Sequence, residues 1–420
     1  MMTYLSVSSQ KHMLPVLMLL CGFLIVVSGC SLKEVYKQTK IIENVSYIKG
    51  NIKVTSDQEG PVIVRRFRDE KGTPVREGQV TASGTGDFMF SVFTGSHYIA
   101  AFIDVNKDGQ YQPGEHGNFH GHPSKIDLTT QQTVTLETII IAGEFHELKA
   151  EFNPIDGKKA IWKNIGKVVT LDDPRFSPAN YSMGLWKPFN FLDQAAGGLF
   201  FLQEYQDGKV PIIFVHGVMG GPTNWKSVIE SLDNMHFQPW AVYYPSGMRL
   251  DMISNYLVEA VNRLQSKYGF SEYIVIAHSM GGLVTRSFVK KYVENSPENT
   301  KNLRMVMTVN SPMTGMPAAA SGVKHSPIVV PSWRDVAPGS DFLRGINDWN
   351  WPREIPYHLV ASYVDGKSSD GVAPLTSQTP LKLQSESIRM YIFNNDHVGT
   401  LNDKKFLTLL NRILAETFKK

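Results

Sequence analysis

The sequence predicts an α/β domain, a mostly parallel sheet with helices on both faces, preceded by a small all-β sandwich. Two observations carry that prediction. From Val210 onward, apolar strand-like runs alternate with helical stretches, the pattern of strand–helix–strand crossovers. Between residues 46 and 150 the runs are short, β-branched or aromatic, and separated by Gly, Asp and Pro turns, as in a sandwich. Composition agrees: 420 residues, 42% hydrophobic and 19% charged, suit a globular chain with room for two domains. The net charge of +3 is small for this length and gives no reason to expect a nucleic-acid partner.

The N-terminus bears on location. Lys11 and His12 precede an apolar run, Met13 to Val27, that is short for a transmembrane helix and suited to a signal-peptide core. It ends in "VVSGC", with small residues Ser28 and Gly29 before Cys30. This resembles the bacterial lipobox, which implies a signal peptide over 1–29, lipidation of Cys30 and attachment to a membrane. Ser31 after the cysteine implies sorting to the outer membrane. A plain secretory signal or an uncleaved anchor is the alternative. Several acyl chains on one cysteine give stable anchoring where a single chain does not. The two cysteines are Cys21 and Cys30. A chain that starts at Cys30 therefore has no spare thiol for a disulfide, so its core must supply its stability.

Residues 30–45 are polar and mixed and read as a tether. Residues 46–150 hold the sandwich strands "SYIKGNIKV", "GPVIVRRF", "GDFMFSVF", "HYIAAFIDV" and "QTVTLETIII". Residues 151–205, rich in Pro, Asn, Asp and aromatics, read as an ordered connector packed on the domain that follows. In the last segment, 206–420, "PIIFVHG", "QPWAVYYPSG", "EYIVIAHS", "LRMVMTVNSP", "YHLVASYVDG" and "SIRMYIFNNDH" are strands. The helices between them include "MISNYLVEAVNRLQSKYG", closed by Gly269, and the chain ends in "FLTLLNRILAETFKK".

One stretch bears chemistry. In "YIVIAHSMGGLV" an apolar run stops at Ala277, and Ser279 follows on a small-residue turn before a helical pattern. The nucleophile-elbow pattern G-x-S-x-G needs small flanking residues so that a sharp turn can lift the serine hydroxyl above a sheet. Here Ala277 stands where the first glycine is usual, and Gly281 supplies the second. Serine needs a base to take its proton, normally a histidine oriented by a carboxylate. In this class the chain order is Ser, acid, His. His325, His358 and His397 follow Ser279. His358 sits inside a strand pattern, and His325 comes before any suitable acid. His397, between the last strand and the last helix, is the expected base. Asp365 and Asp370 both follow the strand "YHLVASYV"; "SSDGVAP" resembles the acid loop of many lipases, which implies Asp370 as the acid, with Asp365 as the second choice, while Asp396 adjoins His397 too closely to face it well. Loop capping is the alternative for all three aspartates. One oxyanion donor is expected at the N–H of Met280, just after the serine. After the first strand, His216-Gly217-Val218 in "HGVMGG" resembles the H-G-x oxyanion loop of lipases, which implies the N–H of Val218 as the second donor; a flexible glycine turn is the alternative.

From about residue 168 to the end, "FVHGVMGGPTNW", "AHSMGGLVTRSF", "TVNSPMTGM", "SSDGVAPLTSQ" and "NDHVGTL" together resemble the α/β-hydrolase superfamily, lipase/esterase type, including the inositol-deacylase-like group. The resemblance implies the α/β-hydrolase fold and hydrolysis of a lipid or other carboxylic ester through an acyl-enzyme, with Ser279, Asp370 and His397 as the triad. Two alternatives stay open: an acyltransferase with the same triad, and a non-catalytic binding lipoprotein on a hydrolase scaffold. The small and apolar residues between Ser311 and Phe342 read equally as a lid over an acyl pocket or as a surface excursion.

A second motif lies in the sandwich. "DVNKDGQYQPGE", Asp104 to Glu115, has the oxygen-ligand spacing of an EF-hand loop. It resembles the calcium loops inserted in β-domains of secreted proteins, which implies calcium on Asp104, Asn106, Asp108, Gln110 and Glu115. A metal-free Asp-Gly turn is the alternative. No cofactor is expected for the chemistry itself.

Overall fold

The computed structural model describes residues 29–82, 84–121, 124–144, 163–194, 197–295 and 297–418. The expected signal segment up to 28, with Cys21, and the stretch 145–162 of the connector lie outside the described residues, as does the side chain of Cys30.

The described chain opens with helix α1 (Gly29–Glu43), where polarity alone reads as a tether. Val35, Thr39 and Ile42 are buried, and they fall on one face at helical spacing. Ile42 joins the main core of the α/β domain. Phe189 N–H donates to Gln38 Oε1 at 3.0 Å, and Arg334 pairs with Glu43 at 2.7 Å. The first helix is thus docked on the α/β domain.

The sandwich follows: β1 (Ser46–Val54), β2 (Val62–Glu70), β3 (Thr73–Ala82), β4 (Gly86–Val92), β5 (Gly95–Ile103) and the short β6 (Gly117–Phe119), β7 (Ile126–Leu128), β8 (Thr133–Thr135) and β9 (Ile139–Ile141). One sheet runs β4-β1-β8 with β9 also on β1; the other runs β3-β2-β5-β6 with β7 on β5. Alternate residues of both sheets, among them Ile48, Val64, Phe90, Ile99 and Ile141, close one shared core. The sequence reading missed β3, whose "TPVREGQVTA" is polar at most positions. It forms because β2 pairs along its whole length.

Helices α2 (Pro178–Trp186) and α3 (Pro188–Gln194) lead into the α/β domain. Its seven-stranded sheet has β10 (Gly198–Phe201), β11 (Val210–Val215), β12 (Phe237–Tyr243), β13 (Tyr273–His278), β14 (Leu303–Val309), β15 (Tyr357–Tyr363) and β16 (Arg389–Asn394), in the order β10-β12-β11-β13-β14-β15-β16. Only β10 runs antiparallel; it is an edge strand four residues long, inside the stretch read as connector. On one face Ile213, Val215, Val275 and Ala277 pack under α5 (Leu250–Tyr268) and α6 (Met280–Asn295), which follow the short α4 (Lys226–Ser231). On the other, Ile212, Phe214, Ile274 and Ile276 meet Trp225, Val228, Phe406 and Leu410. Burial on both faces explains why these strands read as unbroken apolar runs.

The α5 helix stops where Gly269 takes φ +67° and its N–H donates to Gln265 O. The segment after β14 folds into α7 (Pro317–His325), α8 (Pro331–Val336) and α9 (Asp341–Asn347). Asp335 ties it down by accepting from Leu250 N–H (2.7 Å) and pairing with Arg249 (2.7 Å). The two domains meet where Gln79 N–H on β3 donates to Glu259 on α5 (3.1 Å) and Ser91 Oγ donates to Asp251 (2.9 Å).

Candidate active site

Parallel strands present their C-terminal ends along one sheet edge, where α/β proteins bind ligands. Ser279 lies directly after β13. Its φ is +55°, a left-handed conformation uncommon outside glycine, with a cost of order 1–3 kcal/mol. Several contacts hold the turn. Ser279 N–H donates to Val309 O at 2.9 Å, and Gly282 N–H to Ser279 O at 3.0 Å. A Cβ at Gly281 would stand 2.3 Å from Val215 O and 2.5 Å from His216 O. Ala277 occupies the other flank, fully buried, so a methyl group is tolerated there.

His397 reaches Ser279 from the loop after β16. Its Nε2 lies 2.8 Å from Ser279 Oγ and its Nδ1 2.6 Å from Asp370 Oδ2. The tautomer that uses both contacts has Nδ1–H donating to the carboxylate and Nε2 accepting from the serine hydroxyl. Asp370 is buried, and every lone-pair direction has a donor: Val372 N–H (2.9 Å) and Ala373 N–H (2.7 Å) on Oδ1, and Gln378 Nε2 (3.1 Å) beside His397 on Oδ2. The other histidines and aspartates lie elsewhere. His325 and Asp365 are exposed. Asp396 caps the next turn by accepting from Val398 and Gly399 N–H. His358 is buried in β15, stacked near Tyr391 at 6.1 Å, and burial pushes its imidazole down to about 4.

Met280 opens α6, so its N–H has no carbonyl one turn back and is one of the helix's orphan donors. Val218 follows Gly217, where a Cβ would come within 2.8 Å of Ser279 Cβ; the loop thus passes directly over the serine. His216 fixes that loop. Its ring stacks on Tyr244 at 4.0 Å, Nδ1–H donates to Gly217 O (2.7 Å), and Nε2 accepts from Tyr244 N–H (3.3 Å). Complete burial pushes His216 down to about 4, so it stays neutral near neutral pH.

Three residues at the site had no sequence signal. His278 is the buried last residue of β13; its Nε2 lies 2.8 Å from His397 O, and burial pushes its imidazole down to about 3. Asn310, after β14, takes φ +52° and donates through Nδ2 to His397 O (2.9 Å). Gln378 donates to Asp370 and also to Ser362 O (3.0 Å). Each is brought in by the ends of neighbouring strands and the loops that follow them, a relation the linear sequence does not display. Ser279 and His397 are only 6% and 8% exposed.

The loop of the EF-hand-like motif turns its oxygens inward. Asp104 accepts from Asp108 N–H (3.1 Å) and Gly109 N–H (2.8 Å), Asp108 from Gln110 N–H (2.6 Å), and Glu115 from Val105 (2.9 Å) and Gln112 (2.7 Å) N–H. Asn106 Oδ1 also accepts from Asp108 N–H at 3.1 Å. Among the described residues no three His, Cys, Asp or Glu are grouped as a metal site requires. The same oxygens that would face an ion are engaged with backbone donors in this arrangement.

Residues 248–397 match a family model described as an alpha/beta hydrolase of unknown function (DUF915). The sheet order, the elbow and this match agree on the α/β-hydrolase fold for the C-terminal half. The match spans the serine, the aspartate and the histidine described above. Among solved structures, the chain is similar to a Bacillus licheniformis lipase, BlEst2 in mature form, with 15% identity, 50% of this chain and 94% of that one covered, and a TM-score of 0.41. The gene lin2722 product of Listeria innocua gives 18% identity, 50% and 96% coverage, and a TM-score of 0.39. Aspergillus fumigatus lipase B gives 16% identity, 50% and 53% coverage, and a TM-score of 0.39. No curated protein matches the chain.

Proposed function

We propose that the chain is a serine hydrolase that cleaves carboxylic esters through an acyl-enzyme. One observation carries the reading: a continuous hydrogen-bond chain from Ser279 Oγ through both nitrogens of His397 to the buried Asp370 carboxylate. Ser279 Oγ attacks the ester carbonyl carbon while its proton passes to His397 Nε2. Asp370 holds the imidazole in the required tautomer and stabilises the imidazolium that forms. The negative charge on the carbonyl oxygen falls to the N–H groups of Met280 and Val218. The bond to the leaving oxygen breaks, and the alcohol departs with the proton from Nε2. Water then takes the alcohol's place: it gives a proton to Nε2, attacks the acyl carbon and releases the carboxylic acid, and Ser279 regains its proton.

Hydrolysis of p-nitrophenyl esters of graded acyl length tests the reading. Wild-type protein turns over at least one of them, and Ser279→Ala abolishes turnover with the melting temperature retained. Equal turnover by Ser279→Ala would remove this serine from the chemistry.

Two further proposals stand beside it. Cys30 is the lipid-bearing residue of an outer-membrane lipoprotein, supported by the apolar run before it and by Ser28 and Gly29. No helix among the described residues is long and apolar enough to cross a membrane. A structural calcium in the loop 104–115 is the other, supported by the ligand spacing alone.

A further inference from the structure

The proposed base His397 is held by its main chain as tightly as by its ring. Its N–H donates to Asp370 O at 3.0 Å. Its carbonyl receives two donors, His278 Nε2 at 2.8 Å and Asn310 Nδ2 at 2.9 Å. Both donors are buried, and both sit at the ends of strands adjacent in the sheet, β13 and β14. They therefore tie a loop that follows the edge strand β16 to the centre of the sheet, directly beside Ser279.

Two details separate this contact from ordinary loop packing. Asn310 donates to Thr400 Oγ1 as well (3.0 Å), while its own Oδ1 is buried with no hydrogen-bond partner among the described residues. Turning the amide over would offer Oδ1 to the Thr400 hydroxyl, but it would set oxygen against the His397 carbonyl. The arrangement keeps the donor on His397 and leaves an acceptor unsatisfied. Asn310 also holds a left-handed backbone conformation, which asparagine tolerates better than most residues. The second detail is His278 itself. Its ring centroid is 4.8 Å from that of His397. A second positive charge there would oppose an imidazolium on His397; burial keeps His278 neutral near neutral pH.

We infer that His278 and Asn310 are positioning residues that set where the His397 imidazole stands relative to Ser279, acting through the His397 carbonyl. This rests on the proposed function above. Neither side chain takes part in proton transfer. Without them the loop is free to shift, and a displacement of about 1 Å in a reacting group costs on the order of 100-fold in rate.

The test uses the full chain and three variants. His278→Leu removes one donor at similar volume. Asn310→Asp removes the other while keeping size and tolerance of the left-handed conformation. His278→Gln keeps an N–H donor on a side chain of similar reach. Ester hydrolysis gives kcat and KM, and the melting temperature reports folding. The expected result is a fall in kcat of roughly 10- to 100-fold for His278→Leu and Asn310→Asp with KM unchanged, and recovery of most of the loss in His278→Gln. If His278→Leu and Asn310→Asp both keep kcat within about twofold of wild type, the inference is overturned. If kcat falls only in step with melting temperature and His278→Gln restores neither, the role is merely structural and the inference also falls. A wild-type protein that hydrolyses no ester sinks the proposed function instead, and that outcome is read before any variant is compared.

Discussion

Ser279 Oγ stands 2.8 Å from His397 Nε2, although 118 residues separate them in the chain. The contact exists because β13 and the loop after β16 both end at the same edge of the sheet. It makes the orientation of His397, and hence Asp370, decisive. Replacing Asp370 by Asn keeps the shape but lets the ring settle in the wrong tautomer. The expected loss in kcat is on the order of 10⁴-fold, measured on a p-nitrophenyl ester, with KM little changed. A loss under tenfold would show that another group orients His397.

The elbow gives a prediction about stability. Gly281 has no room for a methyl group, because backbone oxygens of residues 215 and 216 lie where its Cβ would be. Gly281→Ala should cost about 1–3 kcal/mol and lower turnover with it, since the backbone must shift under Ser279. Chemical denaturation measures the first effect. An unchanged midpoint would mean that the turn is looser than described.

Buried histidines predict a dependence of stability on pH. His358 and His216 are held at about 4, and His278 at about 3, against 6.5 for a free imidazole. Each takes up a proton more readily in the unfolded chain, so folding stability falls as pH drops from about 6.5 toward these values. The slope is about 1.4 kcal/mol per pH unit for each group in that window. His358 is remote from the triad, so His358→Phe isolates its share: the denaturation free energy between pH 6 and 5 should flatten by about one proton. An unchanged slope would mean that His358 is already hydrated or charged in the fold.

The metal proposal is checked by thermal melting with calcium and then with a chelator. If the loop binds calcium, the melting temperature rises with the ion, by the free energy that binding adds to the folded state, and Asp104→Asn abolishes the rise. No difference at millimolar calcium would assign the loop to its own backbone hydrogen bonds.

Much of the fold was legible because its signals are local. Each central strand of the α/β domain is buried on both faces and so reads as a short apolar run, as with Ile212 to Val215. The juxtaposition of residues 279, 370 and 397 was legible because each lies in a short, chemically unusual turn after a strand. What stayed hidden depends on neighbours. β10 is four residues long and gains its place by pairing with β12. Helix α1 looks polar until Ile42 meets the core. His278, Asn310 and Gln378 matter only through contacts across strands, and no spacing in the chain foretells those.

Whether Ser279 is the nucleophile is decided by labelling with a serine-reactive fluorophosphonate, followed by mass spectrometry of the peptide carrying residue 279. Wild-type protein should form one adduct, on Ser279, strongly slowed in Asp370→Asn and absent in Ser279→Ala. A folded wild type that forms no adduct, or one on another serine, would contradict it.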